Sequence, residues 1–227
     1  VPAVRKALMA PFFGSNPAPG SLQQHRNFHE FRTYYIQPHL NAVFLRLTNE
    51  EIHLRTAHSE LIRYWSVEYG GLNQVPFRYF TRTAASVRAA LAQDPKWIEQ
   101  YISKAMLMLI SQDNEVTYPG AKFRSHPKME LATFQMKPGG PAVWGRAFQA
   151  AVGTHTGSGY AHAIGVFHSE FGQLNQVHVL CCYESADQRA AIRHKSHDNA
   201  RVVAESAAYL VSQKNKRMFP CAFSPIK

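Results

Sequence analysis

Two kinds of hydrophobic pattern alternate along the chain, and each predicts one kind of element. Short runs rich in aromatic and β-branched residues, such as EFRTYYI from Glu30 to Ile36, predict strands. Stretches whose apolar residues recur at helical spacing, as from Leu40 onward, predict amphipathic helices. The predicted order in the first half is a strand at 30–36, a helix from Leu40, hairpin strands at 61–69 and 73–80, helical structure at 84–110 interrupted at Asp94-Pro95, and a short strand at 115–118.

The second half of the chain shows the same patterns in the same order. Pro141 suits the first turn of a helix, because its missing N–H has no helical partner there and its φ is already helical. The predicted elements are a strand at 129–137, a helix from Pro141, hairpin strands at 163–170 and 175–183, helical structure at 185–213 broken near Asp198, and a strand at 218–223.

Three blocks of letters repeat between the halves and explain this parallel. EFRTYYIQPH corresponds to ELATFQMKPG, EYGGLNQV to EFGQLNQV, and RAAL to RAAI, with offsets of 100, 102 and 101 positions. Their constant order indicates a duplicated domain. The segment PGAKFRSHPK, rich in proline and basic residues, predicts a linker between the copies.

The order β-α-β-β-α-β within each copy is that of a ferredoxin-like unit. The predicted fold class is therefore α+β, with two tandem βαββαβ modules of the dimeric α/β-barrel type and their sheets packed against each other. The predicted domains are a basic tail or transit-like segment at 1–27, a first module at 28–118, a linker at 119–128 and a second module at 129–227.

Charge and composition indicate which partners and which compartment suit the chain. The formal net charge is +10, which favours adhesion to acidic surfaces such as anionic lipid. The basic residues are scattered without an aromatic-interleaved motif, so nucleic acid is not a predicted partner. The residues before Glu30 include no acidic side chain, which is typical of an organellar transit segment or of a disordered tail. Three cysteines, two of them adjacent, favour a reducing compartment.

Several longer segments resemble the NIPSNAP family, closest to its third-type branch. They are HLRTAHSEL, YWSVEYGG, ELATFQMKPGGPAVWG, ESADQRAA and RHKSH, and the resemblance covers about residues 28–227. It implies tandem dimeric α/β-barrel modules, a mitochondrial or cytosolic location, and roles in vesicle traffic and mitochondrial quality control through protein binding. It carries over no catalytic residues. Two departures, a shorter strand after Val75 and the Cys181-Cys182 pair, would weaken a pocket between the sheets.

Proteins that share the dimeric α/β-barrel fold bind small ligands with histidine, asparagine and aromatic side chains. A pocket between the sheets would therefore use the same residue types. The candidates are His58, Tyr64, Trp65, Asn73, His168 and Asn175. The two histidines suit acid–base work, because only histidine titrates near neutrality. No carboxylate is positioned in the sequence to orient either ring, so packing or surface hydrogen bonding is the favoured interpretation.

Three further features of the sequence bear on chemistry. The segment RHKSHD offers His194, His197 and Asp198 as metal ligands, but its neighbouring cations favour a solvated helix end, and no metal or cofactor is predicted. The Cys181-Cys182 pair is interpreted as two small strand residues of which one points inward. The repeated hairpin motif is interpreted as architecture, because glycine and asparagine suit its tip.

Two functions remain as hypotheses. The first is a non-enzymatic, mitochondria-associated adaptor that binds proteins of trafficking or autophagy, with an acidic membrane surface and further subunits as other candidate partners. The second is a small-molecule-binding enzyme, similar to monooxygenases or isomerases. Because PFRYF follows the first hairpin tip and HVLCCY the second, any site is predicted to lack twofold symmetry.

Overall fold

The computed structural model describes residues 29–80, 84–119, 129–155, 162–194 and 200–225. The predicted tail at 1–27 lies outside the described residues, as does the predicted linker apart from Pro119. Within the described ranges, no helix is long and apolar enough to cross a membrane. The chain divides into two compact units: the first unit comprises the described residues within 25–117 and 216–227, and the second unit those within 118–215.

The first unit begins with the predicted strand, helix and hairpin. Its elements are β1 (His29–Ile36), a 3₁₀ turn (Pro38–Leu40), α1 (Asn41–Thr56), β2 (Leu61–Tyr69), β3 (Gln74–Phe80), α2 (Ala84–Ala92), a helical segment from Trp97 to Met108 whose first part is π-helical, and β4 (Leu109–Pro119). β1 pairs antiparallel with β3 and β4, and β2 pairs with β3 and with the end of β8 (Leu210–Pro220).

The second unit repeats this order. Its elements are β5 (Met129–Met136), α3 (Pro141–His155), β6 (His162–Phe171), β7 (Gln176–Cys182), α4 (Ala186–His194), α5 (Ala200–Ala207) and the first part of β8. The strand order is β8-β5-β7-β6, and β7 pairs antiparallel with both β5 and β6. The α+β class and the tandem βαββαβ modules are thus confirmed.

Both hairpins close in the same way. Asn73 and Asn175 have φ angles of 59° and 58°, in the left-handed region that asparagine tolerates better than most side chains. The backbone oxygen of Asn73 accepts a hydrogen bond from Ile36 N–H at 2.9 Å, and that of Asn175 accepts one from Met136 N–H at 2.8 Å. Each tip is therefore tied to the end of the first strand of its own copy, as a structural motif would be.

The last strand of each copy differs from the prediction. β4 begins at Leu109 and β8 at Leu210, so the predicted helices to Ile110 and Gln213 were too long and the predicted strands at 115–118 and 218–223 were wrong in extent. β4 pairs with β1 along its length, and such pairing overrides the weak local preference of a polar segment. The sequences LISQDNEVTYP and LVSQKNKRMFP form a fourth repeated block that marks both strands.

Candidate ligand-binding cavity

A cavity of about 510 Å³ lies between the sheet and the helices of the second unit. Its floor is the face of β5, β7 and β8, and its roof is formed by α3, α4 and α5. Most of its wall is apolar, with polar groups gathered around Glu130. Both the size and this composition are those of small-molecule sites, which typically measure about 300–1,000 Å³.

Two small residues on the floor lie where the first unit has large ones. Ala132 and Val179 are cross-strand neighbours, and both line the cavity. The corresponding neighbours in the first unit are Arg32 and Phe77, whose guanidinium carbon and ring centre lie 5.9 Å apart. An arginine and a phenylalanine have therefore been exchanged for an alanine and a valine in the copy that holds the cavity.

The helices that cover the sheets also differ between the units. In the first unit, Trp97 and Tyr101 are buried and stack with ring centres 4.6 Å apart. In the second unit, the corresponding helix α5 presents small side chains to the cavity: Ala200, Val203, Ala204 and Ala207. The side chains of this helix therefore differ in size between the two units.

Glu130, Arg189 and Asn215 form the polar end of the cavity, here called the Glu130 cluster. Arg189 lies side-on to the carboxylate: its Nη2 donates to Oε1 at 2.8 Å and its Nε donates to Oε2. The side-chain amide of Asn215 donates to the same Oε1. Only 9% of the Glu130 side chain is exposed, and its hydrogen bond with Arg189 raises the pKa of that guanidinium group.

The first unit contains a matching set of residues. Glu30 Oε1 accepts hydrogen bonds from Arg88 Nη2 at 3.3 Å and from the amide of Asn114. Glu30 Oε1 also accepts a hydrogen bond from Arg32 at 2.6 Å. In the second unit, Ala132 occupies the position of Arg32. The Glu–Arg–Asn arrangement is therefore part of the repeated architecture, and in the second unit it lies beside an open space.

The thiol and the phenol that line the cavity are held in their protonated forms. Burial, followed by the charges of Glu130 and Cys182, raises the pKa of the Cys181 thiol to about 12. Burial also raises the pKa of Tyr183 well above its usual range. Nδ1 of His155 lies 2.9 Å from the carbonyl oxygen of Ala151 in its own helix. A protonated thiol, a protonated phenol and a paired carboxylate can recognise a ligand but do not form a nucleophile–base pair.

Comparison with known proteins identifies the family. The NIPSNAP family model matches residues 29–122 and again 129–225. The chain belongs to the NIPSNAP family. It is 48% identical to human NipSnap homolog 3A and 46% identical to human NipSnap homolog 3B, each over 99% of this chain and 96% of the relative. The resemblance to the third-type branch is thereby confirmed.

Solved structures agree with this NIPSNAP fold at low sequence identity. A putative monooxygenase from Lactobacillus acidophilus superposes with a TM-score of 0.58 at 12% identity, covering 89% of this chain and 99% of its own. An anthrone oxidase-like protein gives 0.62 at 8% identity, covering 86% and 91%. At such identities the likeness shows the fold alone.

The two histidines proposed from the NIPSNAP sequence each lie beside a carboxylate. Nε2 of His58 is 2.9 Å from Asp94 Oδ2, and Nδ1 of His168 is 3.0 Å from Glu170 Oε1. The expectation that no carboxylate orients them was therefore wrong, because the Asp94 contact depends on the fold. The hydrogen bond with His58, followed by one from Trp97 N–H, lowers the pKa of Asp94. Neither histidine lines the cavity.

The other four candidates take structural positions. Tyr64 is buried in the first-unit core and stacks on Phe77 with ring centres 4.9 Å apart. Its neighbour Trp65 is fully buried. Asn73 and Asn175 lie at the hairpin tips, where the Asn175 side chain accepts a hydrogen bond from Gly140 N–H at 3.1 Å. None of the six candidates is among the residues that line the cavity.

The residues that do line the polar end were visible in the sequence as repeat markers. Glu30 and Glu130, like Arg88 and Arg189, occupy equivalent places in the two copies, and Asn215 lies in the fourth block. Recurrence of the same charged or amide residue in both copies is the signal that could have found them. They were interpreted only as evidence of duplication.

The remaining candidates for chemistry find little support. Across the described residues, no group of three His, Cys, Asp or Glu side chains is placed to hold a metal ion. His197 and Asp198 of the RHKSHD segment lie outside the described residues. Cys181 and Cys182 are both buried, and Cys181 lines the cavity.

Proposed function

We propose that the second unit of this chain binds a small, mainly apolar molecule, and that the protein acts as a non-enzymatic binding protein. The observation that carries the proposal is the exchange of Arg32 and Phe77 for Ala132 and Val179 beside a buried cluster. An unfilled cavity in a core lowers the free energy of unfolding by about 24 cal/mol per Å³ of its volume, so a ligand that fills the cavity stabilises the folded chain.

A neutral apolar fluorophore, N-phenyl-1-naphthylamine, tests this proposal. We expect saturable binding by the full chain, and a loss of at least about tenfold in affinity in Val179→Phe, which restores the side chain of the first unit. Val211→Phe is the matched control, because it adds the same atoms at an exposed position of the same unit. Absence of saturable binding, or equal affinity in Val179→Phe and the control, would refute the proposal.

The adaptor function is a second candidate, favoured by apolar side chains exposed at both hairpin tips. Tyr69 and Leu72 in the first unit, and Phe171 and Leu174 in the second, are between 59% and 72% exposed. Exposed apolar groups that recur in both copies suit protein contacts in vesicle traffic or mitochondrial quality control. We propose a mitochondrial or cytosolic location for this activity, with the basic N-terminal segment directing import.

Proximity labelling in cells tests the adaptor proposal. We expect Leu72→Ser with Leu174→Ser to remove a reproducible set of labelled proteins, while Ile98→Ser, an exposed position in the helical segment that begins at Trp97, keeps them. An unchanged set in the tip variant would contradict a role for the tips. Deletion of residues 1–24 should abolish mitochondrial import, and unchanged organelle fractionation would refute that assignment.

A further inference from the structure

The charge of the cavity lining is unbalanced. Two guanidinium groups, those of Arg189 and Arg193, line it against one carboxylate, that of Glu130. The two arginines are one helical turn apart on α4, so their side chains lie on the same face of that helix. Within this lining the guanidinium groups outnumber the carboxylate, and an anionic ligand would complement them.

The second arginine belongs to the copy that has the cavity. Arg88 corresponds to Arg189 through the RAAL and RAAI blocks, which places Ala92 at the position of Arg193. The first copy therefore carries the Glu–Arg–Asn set without this additional cation. Since Arg193 lies at the exposed end of α4 and also on the cavity wall, it places its charge at the rim of the cavity.

Donors other than Arg193 converge on the same end. The side-on contact with Glu130 uses Nε and Nη2 of Arg189, so Nη1 is not part of that pairing. The hydroxyl of Tyr183, which burial keeps protonated, is a further donor in the lining. Two guanidinium groups and a phenol are the donors that proteins use to hold a carboxylate.

The cavity is elongated away from these donors. Alternate residues of β5 line it in order: Glu130, Ala132, Phe134 and Met136. At about 3.3 Å per residue, this row extends about 20 Å from the charged end to an apolar end. Phe148, Val152 and Leu210 continue the apolar wall. A polar head and an extended apolar body match this shape.

We infer that the cavity of the second unit binds an amphipathic monoanion, an alkyl-chain carboxylate whose head lies at Arg189 and Arg193 and whose chain follows β5. The inference rests on the proposed ligand-binding function. Glu130 acts as a positioning residue, since it holds Arg189 against the sheet. Its own negative charge favours a singly charged head over a more highly charged one, because each added charge also meets this carboxylate.

Calorimetric titration of the full chain with decanoate and with 1-decanol, which share the alkyl chain, separates head from body. We expect decanoate to bind about tenfold more tightly, the effect of one charge-assisted hydrogen bond. Arg193→Gln should remove that preference and leave 1-decanol binding unchanged. Arg201→Gln, an exposed arginine on α5, is the matched control and should change neither. Thermal unfolding of each variant checks that it is folded.

The outcomes distinguish failure of the proposed ligand-binding function from failure of the inference that the ligand has an anionic head. If neither compound binds, the proposed ligand-binding function itself is overturned. If both bind equally, or if Arg193→Gln leaves the preference for decanoate intact, the assignment of an anionic head is overturned and the apolar cavity proposal stands. Preference for decanoate that disappears only in Arg193→Gln supports the inference.

Discussion

At the scale of single residues, the Glu130 carboxylate depends on its partners more than any other group of the cavity. It is nearly buried and is held by Arg189 and Asn215. Glu30, its counterpart, has three donors, of which Arg88 is half-exposed and makes one long contact of 3.3 Å. The Arg189–Glu130 pair therefore contributes more to stability than the Arg88–Glu30 pair.

This inequality predicts different costs for equivalent substitutions. Arg189→Ala should lower the free energy of unfolding by about 3 kcal/mol, because it leaves a buried carboxylate without its countercharge. Arg88→Ala should lower it by less than about 1 kcal/mol, since a half-exposed pair is screened by water and Glu30 keeps Arg32. Urea unfolding at pH 7 measures both, and similar costs would contradict the unequal roles.

At the scale of elements, the hairpin tips combine a strained backbone with a specific contact. Both asparagines take positive φ, but the Asn175 side chain also accepts from Gly140 N–H at the start of the turn into α3. Asn175 thus connects the second hairpin to the end of β5 and to the start of α3.

Alanine substitutions at the tips should separate the cost of the left-handed backbone from the contribution of the Asn175 side-chain hydrogen bond. Asn73→Ala should cost about 1 kcal/mol of unfolding free energy, since alanine is disfavoured in the left-handed region. Asn175→Ala should cost about 1 kcal/mol more, because it also removes the hydrogen bond. Asn73→Gly, which removes the steric cost, should lie near the wild type. Urea unfolding measures all three, and equal costs for the alanine variants would rule out the added contact.

The elements that could be predicted from sequence are those with local signals. Glycine and asparagine at the tips defined the hairpins, and Pro141 marked the start of α3. The first residues of β4 and β8 were predicted as helix, because polar sequences give a weak local strand signal and β4 is fixed by pairing with β1. The cavity could not be predicted, because it depends on the register that places Ala132 opposite Val179.

At the scale of the whole molecule, His29 couples stability to pH. Burial, and then the charge of Arg78, lowers the pKa of His29 to about 3. The unfolded chain, with an ordinary histidine pKa near 6.5, therefore binds a proton between these values that the folded chain does not. The contribution of this group to stability is complete above about pH 6.5 and is lost as the pH falls towards 3.

We expect the free energy of unfolding to fall on acidification by up to about 1.4 kcal/mol per pH unit from this group. His29→Gln should flatten the profile between about pH 6 and pH 4, whereas His53→Gln, an exposed histidine on α1, should not. Chemical denaturation across this range provides the measurement. Parallel profiles for the wild type and His29→Gln would show that another group is responsible.

The first unit is completed by the far end of the chain. Trp65 is paired with Pro220, Cys221 N–H donates to the Tyr64 carbonyl at 3.0 Å, and Tyr64 N–H donates to Ser224 Oγ at 3.1 Å. During vectorial synthesis these partners leave the ribosome long after residues 29–117 have emerged. Until then β2 of the first unit is incompletely paired, and a nonsense codon between positions 118 and 216 damages a unit whose other strands have already been made.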